Sequence, residues 1–340
     1  MHWIFLPILA EYKEWLFPFL GESEHTFTSL PPKVIVFDRS NQKSAVSSLK
    51  QWRLMVAHVL QGTRLWKPGN GYVTLFSQRP AILGALKMAW LAKRGPTVAW
   101  DFNLGSTPGG IRQFLARMML KKTDVFVVNS THERHVYSKW LNLPIERFYF
   151  CHYQKPRIDL GERVPADPPY IAAVGSACRD YRTLAIAAEK LRIPTVIVCA
   201  PFQAEHIPKN DYVTVKTGQT AEQCHRLIQS ATIHVVPLES DETCTGHVTV
   251  AEGMWLGTPI VTSNSIGLQD YVDDGNTTLG FQSGNVDQLT EKLSLLLGDR
   301  ELRDRLSRAA YQFACDHYTD EVAGRHLRTV LDRAAANHRD

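Results

Sequence analysis

Thr243-Cys244-Thr245-Gly246-His247-Val248-Thr249-Val250-Ala251-Glu252-Gly253-Met254, followed by Leu256-Gly257-Thr258-Pro259-Ile260-Val261, is the stretch on which the fold turns. A small, polar turn opens a helix over about Val248 to Leu256, and the run Pro259-Ile260-Val261 predicts a buried strand. The run before it, Ile233 to Val236, reads as a strand too, so the helix joins two strands. A helix start offers unpaired backbone N–H groups and about half a positive charge, and it binds phosphate readily. Glu252 lies two turns into the helix, on a side that can face the same ligand. A carboxylate there can accept both hydroxyls of a ribose while the amides near Gly246, His247 and Val248 hold a diphosphate.

Working outward, the same alternation recurs. Strands are expected at Tyr170 to Val174 and Val196 to Val198, with helices from about Tyr181 to Leu191 and Ala221 to Ser230. The last 55 residues read as mainly helical. Toward the N-terminus, strands are expected at Val34 to Phe37, Tyr72 to Phe76, Thr97 to Trp100 and Val125 to Val128. Helices are expected around Trp52 to Leu60, over Ala81 to Ala92 with Lys93-Arg94-Gly95-Pro96 as its stop, around Ile111 to Met118, and from Ser130-Thr131 to about Leu141. Strand–helix alternation of this kind predicts parallel sheets covered on both faces. The proline-rich segment 156–168 is the expected linker. It divides an N-terminal Rossmann-like domain, 1–155, from a C-terminal one, 169–320, with a terminal helix over 321–340. The fold class is therefore α/β, two doubly wound domains in tandem.

The 340 residues suit two domains of about 150 each. A net charge of +4 without a basic stripe of interleaved aromatics excludes nucleic acid as the expected partner. The six cysteines form no Cys-x-x-Cys pair, and reduced thiols are expected. Cys244 with His247 would supply only two ligands, so no metal site is expected. No stretch reaches 18 uninterrupted apolar residues, and the N-terminus reads neither as a signal peptide nor as a spanning helix. The expectation is a cytoplasmic protein with at most peripheral contact at the inner face of a membrane. Trp3, Trp15, Phe17 and Phe19 can serve such contact, with core packing the preferred use.

The residues around the opening stretch resemble the GT-B glycosyltransferases, in particular glycosyltransferase family 4 (group 1). Glu252-Gly253-Met254 and Gly257-Thr258-Pro259-Ile260 match the second half of that family's donor motif. Ser230 to Pro237 resembles the strand before it, and Gly267 to Asn276 the loop after it. Val174-Gly175 with Arg179-Asp180-Tyr181 is similar to the glycine turn and basic residue that face the donor diphosphate. The resemblance is specific over about 170–320, looser over about 97–155, and covers only the fold class before that.

Two positions depart from the family pattern. Its first motif glutamate falls at Cys244, with Glu242 two residues away as a substitute, and its usual Gly-Arg pair is Gly175-Ser176, leaving Arg179 as the basic group, with Arg182 in reserve. The resemblance implies two domains facing across a cleft and transfer of a sugar from a nucleotide-sugar to a hydroxyl, with retention. It implies no metal or other cofactor and a saccharide, lipid-linked or other hydroxyl acceptor, in polysaccharide or glycolipid assembly. The implied donor site is Gly175, Arg179, Glu242, Cys244, Gly246, His247, Val248, Thr249 and Glu252, with Arg179 also stabilising the leaving diphosphate. Asp101 ends the strand Thr97 to Trp100, where side chains of open parallel sheets reach ligands, and it is the candidate acceptor-side base or orienting group. Three alternatives stay open: inversion with Asp101 as base, a sugar-nucleotide 2-epimerase, and a silent homologue serving as a partner subunit.

Overall fold

Runs such as Trp3-Ile4-Phe5-Leu6 and Val125-Phe126-Val127-Val128 have no polar face, and strands of that kind need cover on both sides. The computed structural model, which describes residues 1–8, 14–32, 45–92, 95–239 and 244–338, supplies that cover in two separate units. The first comprises Met1–Cys151 with Asp320–Asp340, and the second His152–Thr319.

In the first unit β1 (His2–Leu6), β2 (Thr26–Ser29), β3 (Gly71–Leu75), β4 (Thr97–Trp100), β5 (Val125–Val128) and β6 (Phe148–Phe150) form one sheet in the order β2-β1-β3-β4-β5-β6. Every pairing in it is parallel. The connecting helices are α1 (Ala45–Arg64), α2 (Gln78–Met88), α3 (Ile111–Leu120) and α4 (Thr131–Leu141). The two-residue period of the strands sorts their side chains. Ile4, Leu6 and Tyr72 pack with Val59 of α1 and Leu83 of α2, while Phe126, Val128 and Phe148 pack with Leu120 of α3 and Tyr137 of α4. The alternate residues Trp3, Phe5, Val73, Val98 and Val127 pack with Leu327, Val330, Leu331 and Ala334 of the terminal helix. Trp15, Phe17 and Phe19 pack against that same cluster, so the aromatic N-terminal region is core.

The second unit holds β7 (Ile171–Val174), α5 (Tyr181–Leu191), β8 (Thr195–Val198), α6 (Pro201–Ala204), β9 (Val213–Lys216), α7 (Ala221–Ser230), β10 (Ile233–Val236), α8 (His247–Trp255), β11 (Ile260–Ser263), β12 (Leu279–Phe281), α9 (Val286–Gly298) and α10 (Arg300–His317). The terminal helix, α11 (Asp320–Asn337), returns to the first unit. The second sheet is again wholly parallel, in the order β12-β11-β10-β7-β8-β9. β7 sits between β10 and β8, so the strand order reverses there. In open α/β sheets the crevice at such a reversal, beyond the carboxyl ends of the strands, is where ligands bind.

The segment expected as a linker, 156–168, belongs to the second unit. Ile158 packs beside Trp255 and Leu256, Ala166 N–H donates to the Ser230 carbonyl, and Arg163 Nη2 donates to the Ala231 carbonyl. Its lack of periodicity reflects an irregular path along that core. The expected strand Val34 to Phe37 and the expected helix stop at Lys93-Arg94 lie outside the described residues. Among the described residues, no helix is long and apolar enough to cross a membrane.

Candidate functional site

The loops after β7 and after β10 meet at the strand reversal. Asp180 N–H donates to the Pro237 carbonyl at 3.1 Å, and Glu239 N–H donates to the Cys178 carbonyl at 3.0 Å. Gly175 opens the first loop with φ +126°, a conformation a side chain resists, and its carbonyl accepts from the Tyr181 hydroxyl at 2.6 Å. The Arg179 guanidinium lies over this glycine, where a Cβ would meet Nη2 and Nε. A glycine is therefore required twice at this position, for backbone conformation and for room.

Arg179 is buried, and its partners are neutral. Nη1 donates to the Ala177 carbonyl at 2.6 Å, Nη2 donates to Thr249 Oγ1 at 3.0 Å, and Nε has no partner. Burial lowers its pKa, and among the described residues it makes no ion pair. Thr249 in turn donates to the Gly246 carbonyl at 2.9 Å, which fixes the guanidinium at the first turn of α8. That helix begins after Gly246, at φ +83°, and no side chain caps it. By contrast Ser130, Asp180, Thr220, Asn285 and Asp299 cap α4, α5, α7, α9 and α10. The first N–H groups of a helix have no intrahelical partner. Here they stand next to a buried cation that makes no ion pair among the described residues, with the Glu252 charge acting on it only at longer range, and together they can receive an anion.

Glu252 follows Thr249 by about one turn of α8. Lys155 Nζ at 2.7 Å and His225 Nε2 at 3.2 Å both meet its Oε1. Burial pushes the carboxyl pKa up, but the His225 hydrogen bond and the Lys155 charge outweigh it and hold Glu252 below its usual range. Lys155 is itself held in place, because Trp255 Nε1 donates to its carbonyl at 2.9 Å. Lys155 and His225 are site residues that the sequence did not reveal. They come from the segment before β7 and from α7, and no local pattern links either to Glu252.

Cys244 is turned away from solvent, 1% exposed, among Val236, Leu238 and Val250, with Sγ 3.2 Å from His247 Nδ1. Its place in the structure is in the core beneath the turn. His247 is buried against Tyr153 and Tyr271, and burial together with the Arg179 charge lowers its pKa to about 4. Val248 is half-buried in the first turn, Arg182 is exposed, and Glu242 lies outside the described residues.

In the first unit, Asp101 follows β4 with φ +56°, a strained conformation for a non-glycine residue, and half of it is covered. Asn129 Nδ2 donates to its Oδ1 at 2.6 Å. Burial raises its pKa, and the Asn129 bond opposes the rise.

Two buried histidines give a pH prediction. His234, like His247, is held neutral by burial with a pKa lowered to about 4. An unfolded histidine titrates near 6.5, so between about 6.5 and 4 the unfolded chain binds protons that the folded one refuses. Stability is fully present above 6.5 and is lost as pH falls toward 4, by about 3 kcal/mol for each histidine. Urea unfolding of His234→Gln should show a visibly shallower loss between pH 7 and pH 4.5 than the parent. Equal slopes would remove His234 from this account.

Residues 201–313 match the family model described as glycosyl transferases group 1. The matched segment lies within the second unit. The likeness of the whole chain to solved structures concerns fold. Sucrose-phosphate synthase from Thermosynechococcus elongatus superposes with a TM-score of 0.71 at 14% identity, covering 98% of this chain and 99% of that one. HepE of Anabaena, solved with UDP-glucose, gives 0.65 at 13% identity over 97% and 98%. A glycosyltransferase from Rickettsia africae gives 0.63 at 13% identity over 98% of both chains. No curated protein matches by sequence. The two parallel sheets with their flanking helices match the GT-B architecture of these solved structures.

Proposed function

We propose that the protein transfers a sugar from a nucleoside diphosphate sugar to a hydroxyl acceptor, with retention of anomeric configuration and without an obligatory metal. The observation that carries this reading is Arg179, a buried guanidinium without an ion-pair partner among the described residues, held against the uncapped start of α8. The diphosphate supplies the missing negative charge. As the glycosidic bond breaks, that charge grows, so the donors bind the transition state more tightly than the ground state. Glu252, anchored on Oε1, presents Oε2 to the ribose hydroxyls. The HepE structures contain UDP or UDP-glucose, which supports a nucleotide-sugar donor. Asp101 would orient the acceptor hydroxyl, its strained backbone at a strand end being the supporting observation. The acceptor would be a saccharide or a lipid-linked hydroxyl in cytoplasmic glycan assembly.

The direct test is thermal unfolding with UDP, GDP, ADP and dTDP, each with and without chelator. One nucleotide at about a hundred times its dissociation constant should add roughly 2.7 kcal/mol of stability. The gain should survive in chelator. If none of the four stabilises the protein, the donor-site reading fails and the partner-subunit reading takes its place. Stabilisation lost in chelator would contradict metal independence alone.

A further inference from the structure

Helix α3 is built inside out. Ile111, Phe114, Leu115 and Met118 fall at i, i+3, i+4 and i+7, which is one face, and they are 78%, 61%, 46% and 41% exposed. The inward side carries the polar groups instead. Gln113 Nε2 and Arg117 Nε both donate to the Trp140 carbonyl, at 3.0 and 2.8 Å, and Leu120 alone is fully buried. Large apolar side chains gathered on one solvent-facing stripe mark an interaction surface, since soluble monomers seldom leave such patches uncovered.

The patch extends onto α2. This helix crosses α3 so closely that a Cβ on Gly84 would overlap the Met119 carbonyl. Just beyond its end, Trp90 and Leu91 are 80% and 66% exposed.

Charge identifies the occupant. Arg112 lies on the flank of the stripe, and Lys121 and Lys122 follow the helix directly, all three exposed. From residue 39 to residue 123 the chain has fourteen Lys and Arg against a single acid, Asp101; Arg79 and Lys87 among them are buried, while Arg112, Lys121 and Lys122 border the stripe. A second copy of the chain would place these basic rims against each other. An anionic bilayer matches both features, because apolar side chains enter the acyl boundary while lysine and arginine stay at the head groups.

We propose that the α3 face, with the end of α2, docks the protein on a membrane surface containing anionic phospholipid. The residues of this surface belong to the first unit and those of the donor site to the second, so failure of the docking proposal would leave the nucleotide reading intact.

The test is flotation of the full-length protein with vesicles of phosphatidylcholine alone or with about 30 mol% phosphatidylglycerol. Binding is expected to the anionic vesicles, weakening as salt is raised, with little to phosphatidylcholine alone. Phe114→Ser with Leu115→Ser, and separately Lys121→Glu with Lys122→Glu, should each reduce partitioning at least tenfold. Both variants should keep the parent melting temperature and nucleotide stabilisation. The proposal is overturned if the protein ignores anionic vesicles, or if both variants bind as the parent does. A dimer that sediments as monomer once Phe114 and Leu115 are replaced, without vesicle binding, would assign the face to self-association instead.

Discussion

Arg179→Ala should lower turnover about 100- to 1000-fold while the protein stays folded, the loss typical for removing one donor aimed at developing charge. The fold does not depend on this side chain in the way it depends on a paired one. Its hydrogen bonds go to the Ala177 carbonyl and Thr249 Oγ1, its Nε is unpartnered, and Thr249 keeps its own bond to the Gly246 carbonyl when the arginine is gone. Burial opposes the guanidinium charge. The melting temperature of Arg179→Ala is therefore expected to equal or exceed that of the parent. Arg179→Lys restores a charge but not the planar fork, and should recover only part of the rate. Steady-state kinetics with the stabilising nucleotide's sugar, measured beside melting curves, decide it. Near-normal turnover in Arg179→Ala would remove the leaving-group role, and a collapsed melting temperature would make the residue structural.

Glu252→Ala should behave in the opposite way, with a large cost in stability before any ligand is added. Removing the carboxylate leaves Lys155 and His225, whose side chains are 20% and 14% exposed, without their acceptor. Breaking a buried ion pair from one side costs about 3 to 5 kcal/mol, and the partial exposure of Lys155 places the expectation near about 3. Lys155→Met should cost a similar amount, and the double variant should cost less than the sum, the signature of a coupled pair. Glu252→Gln keeps an acceptor for Lys155 and should fold better, yet lose most of the nucleotide stabilisation. If Glu252→Ala unfolds at the parent's denaturant concentration, the ion pair contributes nothing. If Glu252→Gln is stabilised by nucleotide as fully as the parent, the ribose role is wrong.

These two residues also show how far local sequence carries a site. Glu252 was legible because a carboxylate in a small, apolar helix needs a partner, and Arg179 because it follows a glycine turn at the end of a strand. What they touch was not legible. Lys155 is 97 residues from Glu252 and lies before the first strand of its own unit. Thr249 was placed in the donor site, but its role as the link between Arg179 and the Gly246 carbonyl depends on a loop and the first turn of a helix that are 70 residues apart in the chain. Cys244 occupies the position of a family glutamate, and only the packing shows that it points into the core.

The fold divides along the same line. Strand and helix positions in the second unit were written in the periodicity: β10, α5 and α7 run as expected from Ile233–Val236, Tyr181–Leu191 and Ala221–Ser230. Apolar runs without a polar face required parallel sheets, and alternation with helices required α/β units. Short edge strands such as β2, β9 and β12 escaped, because a three- or four-residue strand is specified by its neighbour as much as by its own residues. The strand order, and with it the reversal between β10 and β7 that creates the site, was decided only in three dimensions. So was the return of α11 to the first sheet, and so was the outward turn of α3, whose periodicity is that of any amphipathic helix. Periodicity reports that a helix has an apolar face, since that depends on residues three and four apart. Which way the face points depends on contacts between residues far apart in the chain, such as the Trp140 carbonyl that draws Gln113 and Arg117 inward.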